Sequence, residues 1–284
     1  FTSGLGLNFY ALISYYLGSF LSPFVYFFNL ETMPDAIYLF TLIKVGLMGL
    51  SSYYMLTKLY AKLHRALALA LSLSYSLMSF AMSQIEINMW LDVFILAPLI
   101  LLGLDRLIKN RKVLLYYLAL SLLFIQNYYF GFMMAIFLVL YSITLFSRLT
   151  TWKERLLSFV RFGLISLLAA LTSCVMLLPT YLDLSTHGEE LTKLTTLFTE
   201  DSWYLDFFAK NLVGSYDTTK FGALPMIYVG LFPLFLTLIF FTLKQINWKI
   251  RLSYACLFAF LIASFYLQPL DLFWQGMHAP NMFL

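Results

Sequence analysis

The sequence predicts an all-α fold, a polytopic integral membrane bundle of about eight spanning helices with short interfacial helices in its outer loops. Three observations carry this reading. Hydrophobic residues make up 62% of the chain and charged residues 11%, against about 45–50% and about 25% in soluble domains, so lipid must be the solvent for most of these side chains. Eight apolar runs approach the roughly 17–25 residues that a helix needs to cross the hydrocarbon layer. The lysines and arginines, finally, fall in every second connection between those runs.

The runs cover residues 36–56, 66–82, 93–108, 113–130, 132–146, 162–178, 224–243 and 252–267. Strands are excluded because a lipid-exposed sheet must close into a barrel of alternating polarity, whereas these runs are apolar at both parities. The 29 Phe and 20 Tyr fit many crossings of the headgroup layer, where aromatic rings gather. Cys174 and Cys256 lie inside apolar runs and read as buried small apolar residues rather than a disulfide framework.

Four connections are basic: Lys58/Lys62/Arg65, Arg106/Lys109/Arg111/Lys112, Arg148/Lys153/Arg155/Arg161 and Lys244/Lys249/Arg251. Together they hold 14 of the 18 Lys and Arg, with only Asp105 and Glu154 beside them. Short cytoplasmic loops retain positive charge, so these connections are expected inside and both chain ends outside, giving a multi-pass protein of the cell membrane. The net charge of +4 is then a topology signal, not a nucleic-acid patch, and no nucleic-acid partner is expected.

The organisation expected is a single transmembrane domain over residues 1–284. Residues 1–35 form an outer interfacial segment, 36–180 six spans, 181–223 a large outer acidic loop, and 224–284 two spans and an outer end. The chain starts at Phe1 and stops without a polar tail at Leu284, which reads as a piece of a longer protein. The loop at 181–223 mixes Asp183, Glu189, Glu190, Glu200, Asp201, Asp206 and Asp217 with Trp203, Tyr204, Phe207 and Phe208, which suggests short interfacial helices.

Soluble-enzyme signatures are missing: there is no phosphate-cradling loop and no paired-histidine helix, and no metal or other cofactor is expected. Chemistry must then be built at the outer membrane surface. The stretch from Gln84 to Asp92 puts Glu86, Asn88, Trp90 and Asp92 where a span re-enters the bilayer. A partly desolvated carboxylate there suits general-base work, while a helix cap is the structural alternative for Asp92. Lys44 lies about 13 Å along a helix from Asp35 and shares a face with Thr41, Met48 and Ser51. An intramembrane cation must face protein, water or a lipid phosphate, so Lys44 either contacts a donor phosphate or pairs with an acid such as Asp92.

The segment Gln126-Asn127-Tyr128-Tyr129-Phe130-Gly131 reads as a tight, uncharged outer connection. Rings beside amides suit a sugar, whose C–H faces pack on aromatics while its hydroxyls need amide partners; an interfacial aromatic belt is the alternative. Near the end, Trp274, Gln275, His278, Pro280 and Asn281 gather after Asp271, and a histidine there can hold a phosphate.

Gly4-Leu5-Gly6 with Asn8, Tyr15-Tyr16, Ser22-Pro23-Phe24, the Ser-Tyr-Ser core within 70–79, Met89-Trp90-Leu91-Asp92 with Pro98-Leu99, Asn127-Tyr128-Tyr129 and Trp274 to Asn281 together resemble the bacterial YfhO family over nearly the whole chain. Members of that family are similar to GT-C glycosyltransferases, multi-span enzymes that use sugars carried on a polyprenyl phosphate, and some are implicated in glycosylating lipoteichoic acid in Gram-positive bacteria. The resemblance implies a GT-C-like fold and sugar transfer on the outer face, with membrane lipids, a polyprenyl-phosphate-linked sugar and a cell-envelope polymer acceptor as partners. Asp92 and Glu86 become the candidate catalytic residues. Lys44, His278 and Trp90 are candidates for donor binding, and Gln126, Asn127, Tyr128 and Tyr129 for sugar binding. The principal catalytic acid of GT-C enzymes usually sits near the start of the first outer loop, which the resemblance places upstream of Phe1. A transporter or flippase of lipid-linked saccharides and a non-catalytic envelope-assembly protein are the alternatives; the broken, symmetric spans that a transporter favours are not visible in the sequence.

Overall fold

The computed structural model describes residues 13–187, 196–199, 203–214 and 226–277. The Gly4-Leu5-Gly6 turn, most of the loop acids and His278 lie outside the described residues. Where described, the chain is helical, with a single isolated bridge between Phe198 and Leu267. Four helices are long and apolar enough to cross a membrane, within Leu30–Leu59, Tyr128–Phe146, Trp152–Thr172 and Trp248–Tyr266. The chain forms two compact units, one of Phe1–Ala61, Ile87–Met134 and Val160–Glu189, the other of Lys62–Glu86, Ala135–Phe159 and Glu190–Leu284.

In the first unit a π-helical turn (Ile13–Leu17) and two 3-10 turns (Ser22–Phe27, Leu30–Thr32) lead into α1, Met33–Leu59. The start of α1 is written locally. Asn29 and Thr32 form a reciprocal capping box on the 3-10 turn Leu30–Thr32 that leads into it, Pro34 sits where the helix needs no amide hydrogen, Asp35 lies in the first turn and Lys58 in the last. One face of α1 is buried, through Ala36, Phe40, Thr41, Lys44, Met48, Ser51 and Ser52. Its small members let a neighbouring helix approach closely, which is how helices associate where lipid offers no hydrophobic drive. The rest of α1, including Ile37, Leu42 and Leu50, faces outward.

The partner of that face is Leu91–Asn110, which packs against α1 on one side and against Leu114–Gln126 on the other and is buried along most of its length. At the second contact the backbones nearly touch: a Cβ added to Gly103 would lie 2.6 Å from the Tyr116 backbone. Tyr116, fully buried, also shares a 2.8 Å hydrogen bond with Ser166 Oγ on Trp152–Thr172.

In the second unit the run expected at 66–82 is two helices, α2 (Arg65–Ser76) and α3 (Ser79–Ser83). They are separated at Leu77–Met78, where the Ser79 amide donates to the Tyr228 carbonyl at 2.9 Å. Numbered onward, Leu91–Asn110 is α4, Leu114–Gln126 α5, Tyr128–Phe146 α6, Trp152–Thr172 α7, Cys174–His187 α8, Asp206–Ala209 α9, Leu231–Thr242 α10, Trp248–Tyr266 α11 and Gln268–Trp274 α12. The described parts of the acidic loop tie onto the end of α11. Thr199 N donates to the Tyr266 carbonyl (3.0 Å), Phe207 N donates to the Tyr266 hydroxyl (3.1 Å), and that hydroxyl donates to the Tyr204 carbonyl (3.0 Å).

Several boundaries differ from the sequence reading. The seventh run is helical only over Leu231–Thr242, while the helix containing the start of the sixth begins ten residues earlier, at Trp152, and breaks at Ser173. The expected connection at 126–131 shrinks to Asn127, because Tyr128 through Gly131 already belong to α6. Asn127 turns the chain with an extended backbone, and its Oδ1 accepts from Phe130 N (3.0 Å), which caps α6 and lets it restart at once. The cysteines are not the buried pair expected: Cys174 is half-buried and Cys256 faces outward from α11, both as free thiols.

Candidate functional site

The first unit brings two opposite charges together. Lys44, on the fourth turn of α1, and Asp92, in the first turn of α4, form an ion pair with Nζ and Oδ2 2.9 Å apart, and their side chains are only 1% and 2% exposed. Neither charge would be tolerated there alone. The pair is stitched on both sides. Lys44 Nζ also donates to the Asn88 carbonyl (2.9 Å), Asn88 Nδ2 donates to Thr41 Oγ1 (2.6 Å), and Thr41 Oγ1 donates to the Ile37 carbonyl (2.8 Å). Thr41 and Lys44 lie three residues apart on α1, and Asn88 and Asp92 four apart at the head of α4, so two short helical faces interlock.

Of the two structural readings of Asp92, the ion pair describes its geometry. The residue before α4, Trp90, makes no side-chain cap bond, and the Asp92 carboxylate turns to Lys44 instead of to the free amides of its own helix. Its position in the first turn still favours a negative charge. The second carboxylate oxygen, Oδ1, is buried without a partner in hydrogen-bonding geometry, although the Ser19 hydroxyl lies beside the same carboxylate. Two of the three Lys44 donors are engaged, by Asn88 and Asp92. The pair therefore keeps an acceptor and a donor in reserve beyond the bonds described.

An aromatic contact leads from this pair to the amides. The Trp90 ring meets Phe130 edge-on, with centroids 5.2 Å apart, and Phe130 N is the amide that Asn127 caps. Gln126 and Asn127 are buried, and Gln126 Oε1 and Asn127 Nδ2 have no hydrogen-bond partner among the described residues. Tyr128 and Tyr129 are half-buried beside them, with Tyr129 edge-on to Phe130 at 5.7 Å. The turn at residues 13–19 closes over this region: a Cβ on Gly18 would sit 2.3 Å from the Gln126 carbonyl oxygen.

The structure thus joins Lys44, Asp92, Trp90, Gln126 and Asn127 within one unit. Glu86 is exposed and belongs to the second unit, and His278 lies outside the described residues. From the sequence, Asn88 and Phe130 stand only as members of their segments with no role of their own, and Thr41 only as a neighbour of Lys44. The signal for Asn88 was present, since it lies one helical turn before Asp92. Among the described residues no three His, Cys, Asp or Glu side chains are grouped to hold a metal ion.

A family model described as "Bacterial membrane protein YfhO" matches residues 1–284. No curated protein and no solved structure matches the chain.

Proposed function

The chain belongs to the YfhO family of bacterial membrane proteins, and on that premise we propose that it is a GT-C-type glycosyltransferase. It moves a sugar from a polyprenyl-phosphate donor to a cell-envelope polymer such as lipoteichoic acid, on the outer face of the membrane. In this reaction an acceptor hydroxyl attacks the anomeric carbon, the bond from that carbon to the phosphate oxygen breaks, and the hydroxyl proton passes to a carboxylate. We assign Asp92 as the proton acceptor, through Oδ1. Lys44 holds Oδ2 in the 2.9 Å ion pair and so orients the carboxylate. Glu86 remains the second candidate carboxylate, His278 and Trp90 the candidates toward the donor, and Gln126, Asn127, Tyr128 and Tyr129 those toward the sugar.

The observation that supports this most is the Lys44–Asp92 pair itself, a buried ion pair whose carboxylate has one oxygen uncommitted. Intramembrane ionisable groups mark functional sites by default, and polar groups this deep are costly to keep without a use. The same pair also suits a translocation path, which keeps a flippase of lipid-linked saccharides as the second reading.

Reconstituted protein offered a polyprenyl-phosphate sugar and a polyglycerol-phosphate acceptor separates the two. Transfer that falls at least about a hundredfold in Asp92→Asn, a typical loss for a missing general base, with the variant still folded, is the expected result. Undiminished transfer in that variant removes Asp92 from the chemistry. Movement of donor across the bilayer without transfer replaces the transferase with a flippase.

A further inference from the structure

The second unit carries a group of arginines that the proposed transfer does not use. Where α6 ends and α11 begins, Ser147 Oγ and Ser253 Oγ are 3.1 Å apart, which pins the two helix ends together. Beside that contact the Arg148 guanidinium donates through Nη2 to the Tyr254 hydroxyl and lies 5.6 Å from the centre of its ring. Arg251 precedes Tyr254 by three residues, on the same face of α11. It donates through Nη1 to the Phe241 carbonyl at 3.2 Å, and its Nε is buried with no hydrogen-bond partner.

A guanidinium carries five donors and a charge that no physiological pH removes. Here the protein offers Arg148 a phenol and Arg251 a single carbonyl, and among the described residues no carboxylate lies within 4 Å of either. Arg148 on the Tyr254 ring and Arg251 one helical turn before Tyr254 thus have spare donors and, among the described residues, no counter-ion; an oxyanion with several acceptor oxygens would fill them, and the guanidinium fork matches phosphate in that respect.

The depth of the group identifies which phosphate. Helices α6 and α11 are both long and apolar enough to span a membrane. At the start of α11, Asn247 caps the helix through Lys249 N (2.9 Å), and Trp248 is 61% exposed with the Lys249 ammonium 5.8 Å from its ring centre. An outward tryptophan beside a lysine at a span end marks the headgroup layer. We propose that Arg148 and Arg251 form a binding site for the phosphodiester of an anionic phospholipid, seated at the basic end of α6 and α11.

The test uses the whole protein in nanodiscs of mixed phosphatidylglycerol and phosphatidylcholine, released into the gas phase for native mass spectrometry. The wild type is expected to retain phosphatidylglycerol over phosphatidylcholine. That retention should fall about fivefold in Arg251→Gln and about 25-fold in the Arg148→Gln/Arg251→Gln variant, at a contribution of one interfacial arginine each. Lys112→Gln, a basic-loop control in the other unit, should leave it unchanged. Equal retention of both lipids, or wild-type retention in the double variant, overturns the site. Displacement of the lipid by inorganic phosphate overturns its assignment to a lipid and makes it a free-anion site. Where the glutamine variant does not fold, Arg251→Lys keeps the charge and removes the fork, and wild-type retention in it overturns the paired-donor assignment.

Discussion

Removing one member of the Lys44–Asp92 pair is the most decisive perturbation of the candidate site. In Lys44→Met the stem is replaced by one of similar volume, while Asp92 stays buried and its Oδ2 loses its cationic partner. At 2.9 Å and an effective dielectric constant of about 20, the attraction is on the order of 6 kcal/mol, offset by the desolvation that both ions have already undergone. Breaking such a pair from one side costs about 3–5 kcal/mol, and replacing both charges by apolar groups of similar size is close to neutral. Asp92→Leu is therefore also expected to destabilise strongly, whereas Lys44→Met/Asp92→Leu returns most of the loss, a coupling of at least about 3 kcal/mol. The measurement is reversible unfolding of the four proteins in mixed micelles, followed by tryptophan emission. Losses that simply add in the double variant would show that the two charges act independently, and the reasoning from burial would then be wrong. The same double variant gives a folded protein lacking the carboxylate, so its transfer activity separates catalysis from stability.

Three further outcomes follow from the structure. Gly103→Ala pushes a methyl group to within 2.6 Å of the Tyr116 backbone, so α4 and α5 must separate, and a loss of about 1–3 kcal/mol is expected on unfolding; a neutral substitution would place the helices further apart than described. Burial raises the Asp271 pKa, with the Gln275 amide, which donates to Oδ1 at 2.9 Å, pulling it partly back. The folded state therefore holds that proton longer than the unfolded chain, and the stability of α12 should fall as pH rises from about 4 through the raised value. Emission from Trp274, whose indole donates to Ser264 Oγ at 2.9 Å, reports this, and Asp271→Asn should flatten the profile; a profile unchanged by that variant refutes it. Accessibility tags near Glu189 and Arg155 should label from outside and inside the cell respectively, and the reverse pattern would move the proposed chemistry to the wrong face.

The sequence was most informative where a residue was expensive. Lys44 and Asp92 stood out because charge is rare in apolar runs, and pairing them was one of the readings their positions allowed; the structure brings them to 2.9 Å. The start of α1 was also written in local chemistry, through Asn29, Thr32, Pro34 and Asp35. Helix breaks were not legible. In lipid-facing runs every face is apolar, so hydropathy does not change where a helix stops at Leu77, at Asn127 or at Ser173. Those stops depend on single bonds, such as Ser79 N to Tyr228 O or Phe130 N to Asn127 Oδ1, whose partners no periodicity marks. The burial of Gln126 and Asn127 was hidden for a related reason: amides at a helix junction read as exposed until the junction is seen to be one residue long.

The grip on α4 from both flanks has a mechanical consequence. On one flank an ion pair and the Asn88 bonds hold it to α1, and on the other the Gly103 contact leaves no room to slide against α5. Displacing α4 would tear a charge from its partner or drive backbone into backbone, so the carboxylate rides on an anvil rather than a hinge. Whatever meets Asp92 has to conform to it, and selectivity at that carboxylate would come from the shape of the visitor and not from an adjustment of the host.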